Sequence, residues 1–182
     1  MRGKYSESDK SKDCRICFGV KRAVDTVYKQ VDTKCGQIYT YGPIIHNEEV
    51  IKDMRDKGVI VLRSEEDLDM ISQGTVIIRS HGVEKRIYEK IEQKGLRIVD
   101  ATCPFVKKIH NIVSEKSGEG FHIIIIGNPE HPEVVGIKGW AKDNVTVIQS
   151  AEDAECFTAD RKEKICIVSQ TTFNYNKFKD LS

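Results

Sequence analysis

The sequence predicts an α/β fold built on parallel sheets, and three observations carry that expectation. Strand-sized apolar runs such as Val59–Leu62, Thr75–Arg79 and Ile165–Val168 alternate with segments whose apolar residues keep helical spacing. Ile123–Ile126 is apolar without interruption, as in a strand covered on both faces. A polar cluster with a His, Cys or Thr falls five times where a strand or loop gives way to a helix: His46-Asn47, Ser80-His81-Gly82, Thr102-Cys103, His131-Pro132-Glu133 and Gln170-Thr171. With parallel strands those ends lie on one side of a sheet, where open α/β folds bind ligands.

Met1 to Asp13 is expected to be a disordered tail, since seven of its thirteen residues are charged. After Cys14-Arg15-Ile16-Cys17 a helix follows, with Val20, Ala23, Val24, Val27, Tyr28 and Val31 on one face. Ile38–Tyr41 is a short strand and Gly42-Pro43 a turn. Asn47 is a good N-cap, and Glu48 and Glu49 suit the helix dipole behind it. That helix points Val50, Ile51 and Met54 inward and ends at Gly58. Val59–Leu62 is a strand, Ser64 opens a short helix, and Gly74 precedes the strand Thr75–Arg79. The next helix is expected to carry Val83, Ile87 and Ile91 on one face. Arg97–Asp100 is a strand that stops just before Thr102-Cys103-Pro104. Proline suits the first position of a helix, where its missing N–H would be unpaired anyway. Phe105, Val106, Ile109, Ile112 and Val113 then keep helical spacing, which puts Cys103 at a helix amino end. Phe121–Ile126, Val145–Ile148 and Ile165–Val168 complete the strands, and Ser150 caps a short helix.

The totals exclude several classes. With 29 basic and 28 acidic residues the net charge is +1, so nothing electrostatic favours nucleic acid or an anionic membrane. No apolar run has transmembrane length, and the polar amino terminus is not a secretory signal. Six cysteines without a signal point to a reducing, cytoplasmic setting, where cysteines serve as metal ligands, redox groups or core. Neither Gly-x-x-x-x-Gly-Lys-Ser/Thr nor Gly-x-Gly-x-x-Gly occurs, which argues against the usual nucleotide sites.

Histidines beside the free N–H groups of helix amino ends make a phosphate or diphosphate site plausible, and His131-Pro132-Glu133 adds a carboxyl group for proton delivery. His110 and His122 lack that placement and are read as structural. Cys17 and Cys103 sit at matching junctions. A helix amino end favours a thiolate, and iron–sulfur clusters take thiolates from distant parts of a chain. Cys166 reads as core, and Cys35 and Cys156 as incidental.

Together these motifs resemble a known family. Cys-Phe-Gly-Val-Lys-Arg-Ala-Val (17–24), His-Asn (46–47), Ser-His-Gly-Val (80–83), Asp-Ala-Thr-Cys-Pro (100–104), His-Pro-Glu-Val (131–134) and Gln-Thr-Thr (170–172) are similar, in order, to the LytB family of 4-hydroxy-3-methylbut-2-enyl diphosphate reductases. The resemblance implies a three-lobed α/β fold around a [4Fe–4S] cluster held by one cysteine per lobe. Cys17 and Cys103 match two of those ligands. His46, His81 and His131 match the histidines around the substrate's diphosphate and hydroxyl, Thr171 a substrate-positioning threonine, and Glu133 the proton-delivering acid. It further implies reductive dehydroxylation to isopentenyl and dimethylallyl diphosphate, in the methylerythritol phosphate route to isoprenoids. Electrons would come from ferredoxin or flavodoxin.

Two departures from the family pattern shape the expected domains. No apolar strand precedes Cys17, and no third cysteine in the family's motif follows Thr172. The expectation is a first lobe over residues 14–103 lacking its first strand, an incomplete second lobe over 104–182, no third lobe, and little activity from this chain alone. Two alternatives predict different chemistry. A metal or redox module at Cys14 and Cys17 would lose its metal on mutation of Cys14. A phosphate-binding domain without a cluster would be stabilised by ligand when metal-free.

Overall fold

The computed structural model describes residues 18–33, 36–160 and 162–172. The expected amino-terminal tail, Cys14, Cys17 and Cys35 lie outside the described residues. The elements are α1 (Phe18–Thr33), β1 (Ile38–Tyr41), α2 (Glu48–Asp56), β2 (Val59–Leu62), α3 (Glu65–Asp69), β3 (Thr75–Ile78), α4 (Lys85–Gln93), β4 (Arg97–Asp100), α5 (Pro104–Gly118), β5 (His122–Ile126), α6 (Pro132–Lys138), β6 (Val145–Ile148), α7 (Ala151–Cys156) and β7 (Ile165–Ser169).

Every strand pairing among the described residues is parallel, as the strand–helix alternation predicts. One sheet has the order β2-β1-β3-β4 and the other β6-β5-β7. Successive side chains of a strand point to opposite faces, so each sheet builds two cores. In the first sheet Ile38, Val59 and Ile77 pack with Ala23 and Val27 of α1 and Met54 of α2. Leu62, Val76 and Ile78 pack on the other face with Leu68 of α3 and Ile87 and Ile91 of α4. In the second sheet Ile123 and Ile125 meet Val113 of α5 and Val134 and Ile137 of α6, while Ile124, Ile126 and Ile148 meet Ala154 and Phe157. Each fully buried Val or Ile side chain contributes about 1.5–3 kcal/mol.

The capping residues behave as the sequence predicts. The Asn47 side chain accepts the Val50 N–H at 3.1 Å. Ser64 caps α3, and Ser150 forms a reciprocal capping box with Asp153 on α7. Two expectations of helical periodicity fail locally. Val83 is buried but lies outside α4, which begins at Lys85; the chain turns at Gly82, in the left-handed region with φ +69°. Phe105 keeps helical spacing with Val106 and Val113, yet it is 70% exposed in the first turn of α5.

The two sheets are tied together by α6 and the loop between β3 and α4. Trp140 donates its indole N–H to Val83 O at 2.9 Å, and Lys85 N–H donates to Gly139 O at 3.4 Å. Gly136 rests against the backbone of His81, Gly82 and Val83. The indole of Trp140 stacks on His110 of α5, with ring centroids 5.1 Å apart. These contacts bring the ends of β3, β4, β5 and β7 toward one region.

Candidate functional site

Cys103 is the N-cap of α5 and Pro104 is its first residue. The Cys103 N–H donates to Ser80 O at 2.9 Å, which joins the end of β4 to the residue before His81. Its side chain makes no capping hydrogen bond, so the thiol is not committed to the helix. It is only 9% exposed and packs against Gly19, where a Cβ would come within 3.1 Å of the sulfur. The start of α1, directly after Cys17, therefore abuts Cys103. Arg22 reinforces this by donating to Thr102 O at 3.1 Å.

A hydrogen-bonded network holds that turn. Asp100 accepts from Thr102 N–H at 2.9 Å, Tyr88 O–H at 3.2 Å and Lys107 Nζ at 2.6 Å. Burial opposes the charge on Asp100, but the bonds from Lys107 and Thr102 outweigh it and its pKa is lowered. Burial raises the pKa of Tyr88, which keeps its hydroxyl neutral.

On the second sheet, His131 is the N-cap of α6 and its Nδ1 accepts the Glu133 N–H at 3.1 Å. The Glu133 side chain turns away from that imidazole toward the end of β7. Its carboxylate accepts from Thr171 N–H at 2.7 Å and Thr171 Oγ1 at 2.9 Å. Glu133 is 1% exposed, so this pairing with Thr171 is what satisfies a buried carboxylate. Gln170 braces the same corner: its N–H donates to Ile126 O at 2.9 Å and its side chain accepts the Asn128 N–H at 3.2 Å.

His81 joins the two sheets. Its ring meets that of His131 edge-on, with centroids 5.3 Å apart. Burial first, and then the positive fields of Arg79, His131 and His46, push the His81 pKa down to about 4. At neutral pH His81 is thus an uncharged imidazole, able to donate one N–H and accept at the other nitrogen. His46, exposed ahead of the Asn47 cap, is close enough to act on His81.

The fold therefore gathers His46, His81, His131, Glu133 and Thr171, with Cys103 bonded to the residue beside His81. It leaves the two remaining histidines elsewhere. His110 is buried against Trp140, and His122 bonds Glu163 and Thr146, each at 2.8 Å. Cys156 is exposed, and Cys166, expected as core, is half-buried on the edge strand β7. Sequence reasoning missed Arg79. The signal was present: an arginine ends the apolar run of β3 immediately before Ser80-His81. Among the described residues no group of three or more His, Cys, Asp or Glu side chains could hold a metal ion. No described helix is long and apolar enough to cross a membrane.

Fold and site together define a parallel α/β protein with a histidine–carboxylate cluster and a buried, uncommitted thiol at its strand ends. Comparison with known families agrees: the family described as LytB protein matches residues 10–182, and the chain belongs to it. Curated relatives include the 4-hydroxy-3-methylbut-2-enyl diphosphate reductases of Caldanaerobacter subterraneus subsp. tengcongensis and Clostridioides difficile. The first is 46% identical over 167 residues, covering 91% of this chain and 57% of the relative. The second is 42% identical over 165 residues, covering 90% and 58%. The solved E-1-hydroxy-2-methyl-but-2-enyl-4-diphosphate reductase of Plasmodium falciparum superposes with a TM-score of 0.83 at 30% identity, over 91% of this chain and 52% of that one. The chain thus spans little more than half the length of these relatives.

Proposed function

We propose that this chain contributes substrate-binding, proton-delivering and cluster-holding residues to the reductive dehydroxylation of 4-hydroxy-3-methylbut-2-enyl diphosphate to isopentenyl and dimethylallyl diphosphate, with little activity from these residues alone. The observation that carries the reading is the edge contact of His81 and His131, one from each sheet, beside a buried Glu133 held by Thr171.

Each residue has work suited to its surroundings. His81, neutral at pH 7 before the ligand arrives, offers the diphosphate an N–H donor. His131 and the exposed His46 complete the polar wall that orients the diphosphate and hydroxyl. Anchoring the diphosphate provides binding energy for use at the reacting carbon. Glu133, when protonated, delivers a proton to the leaving hydroxyl, which departs as water as the C–O bond breaks, while two electrons from the proposed donor and a second proton go to the allylic carbon framework. Thr171 holds that carboxyl in place and contacts the substrate. Cys103 and Cys17 would hold a [4Fe–4S] cluster, and the buried Cys103 thiol at the amino end of α5 is a chemically apt donor for it. When bound, the cluster supplies electrons and a Lewis-acid position for the leaving oxygen. Ferredoxin or flavodoxin is the proposed electron donor and the cytoplasm the proposed setting. The division into lobes at residues 103 and 104 belongs to the same reading.

Calorimetric titration of the chain with 4-hydroxy-3-methylbut-2-enyl diphosphate tests the binding half. His81→Ala and His131→Ala should each weaken binding about tenfold, as expected for losing a hydrogen bond to a charged group. Anaerobic reconstitution with iron and sulfide tests the other half. Cys103→Ser should abolish the visible absorption of the cluster while Cys14→Ala leaves it intact. Undiminished affinity in both histidine variants would overturn the substrate assignment.

A further inference from the structure

A cleft on the α1/α2 face of the first sheet has no part in the chemistry above. Its volume is about 480 Å³, within the range of small-molecule pockets. None of Cys103, His46, His81, His131 or Glu133 lines it. Arg55 from α2, Arg63 just after β2 and Arg79 just after β3 converge on it, and its lining contains no Asp or Glu. The chain as a whole is nearly charge-balanced, so this is a local excess.

Among the described residues none of the three guanidinium groups has an ion-pair partner. Arg86, by contrast, pairs with Glu65 and Glu84. Arg79 is the most committed of the three. A Cβ on Gly42 would overlap its guanidinium, and Gly42 has φ +75°, so glycine there permits both the turn and the passage of the arginine across it. The Nε of Arg79 is buried without a hydrogen-bond partner. Thr40 adds an independent sign. It is 1% exposed, it lines the cleft, and its hydroxyl has no partner. Partnerless buried donors are rare and call for an occupant that accepts their hydrogen bonds. The rest of the wall is apolar, with Ile51 and Met54 of α2 prominent.

We propose that this cleft is a binding site for an organic phosphate with a short hydrocarbon body, its head on Arg55, Arg63, Arg79 and Thr40 and its body against Ile51 and Met54. Arginine forks match phosphate geometry, and a dianionic head answers three cations better than a single negative charge does.

Methionine methyl NMR reads this site directly. The chain has three methionines; Met54 lines the cleft and Met70 is exposed on the surface. With methyl-13C methionine incorporated, n-hexyl phosphate should shift the Met54 signal saturably and leave that of Met70 in place. Inorganic phosphate, hexanoate and hexanol should each bind at least about tenfold more weakly, since each lacks part of the match. The double variant Arg55→Met, Arg63→Met changes only exposed side chains and so keeps the fold. It should weaken hexyl phosphate at least about tenfold, and Arg79→Met should do the same. His81→Ala should leave the Met54 response unchanged, which separates this site from the histidine site: either assignment can fail without the other. An unmoved Met54 signal at saturating hexyl phosphate, or equal affinity in the arginine variants, would overturn the proposal.

Discussion

Two histidines, His81 half-buried and His110 buried, have folded-state pKa values of about 4, caused first by burial. His81 faces the candidate site. His110 stacks on Trp140 and approaches Gly82 so closely that a Cβ on Gly82 would overlap its ring. The consequence for pH follows from linkage. An unfolded histidine takes up its proton near pH 6.5, whereas these two do so only near 4. Between those values the unfolded chain binds more protons, so stability is lost as pH falls from 6.5 toward 4. His110, fully buried, should account for about 1–3 kcal/mol of that loss. Urea unfolding at pH 7 and pH 4.5 should show the drop, and His110→Phe, which retains a ring against Trp140, should flatten it. Gly82→Ala combines a left-handed backbone with that overlap and should cost at least about 2 kcal/mol at pH 7. An unchanged unfolding midpoint would show that the loop yields freely.

At the scale of elements, α6 offers a matched pair of glycines. A Cβ on Gly136 would meet only ordinary contacts, 3.6 Å from His81 O, Gly82 C and Val83 Cα. Gly136→Ala should therefore be neutral or stabilise by up to about 1 kcal/mol, the helix-propensity difference. A Cβ on Gly139 would overlap the side chain of Glu84 and come within 3.0 Å of its Cα. Gly139→Ala should destabilise by about 1–3 kcal/mol. Thermal unfolding of the two variants side by side checks the difference in sign. At the entrance to α2, Asn47→Ala removes the bond to Val50 N–H and should cost about 1 kcal/mol. These caps were legible in the sequence because a cap is a local device: Asn47, Ser64 and Ser150 need only their own next three residues. The start of α4 was not. Periodicity placed Val83 on the helix, but its carbonyl is bound by Trp140 from another part of the chain.

At the scale of the whole molecule, β7 is an edge strand of the second sheet among the described residues, with Ile167 58% exposed and Ile165 exposed beside it. An edge strand with exposed apolar side chains is a template for association. Ile167→Lys should reduce concentration-dependent association in light scattering while leaving the unfolding midpoint within about 0.5 kcal/mol, as for other surface changes. The joint between the sheets rests on Trp140, the chain's single tryptophan, which makes its emission a reporter of that joint. Arg22→Ala would loosen α1 from the Cys103 turn, a change read through the reactivity of the Cys103 thiol.

The alternation of strands and helices, the parallel class, the caps and the identity of the polar clusters at the strand ends are legible in the residues alone. All of these follow from period, propensity and short-range chemistry. Tertiary structure alone decided the strand orders β2-β1-β3-β4 and β6-β5-β7, because which strand lies beside which depends on packing across the sheet. It also decided that His81 meets His131, that Glu133 turns from its neighbouring imidazole to Thr171, and that three arginines gather without a carboxylate. Each of these joins residues far apart in the chain, where local spacing carries no information and only the burial of two sheets against shared helices brings them together.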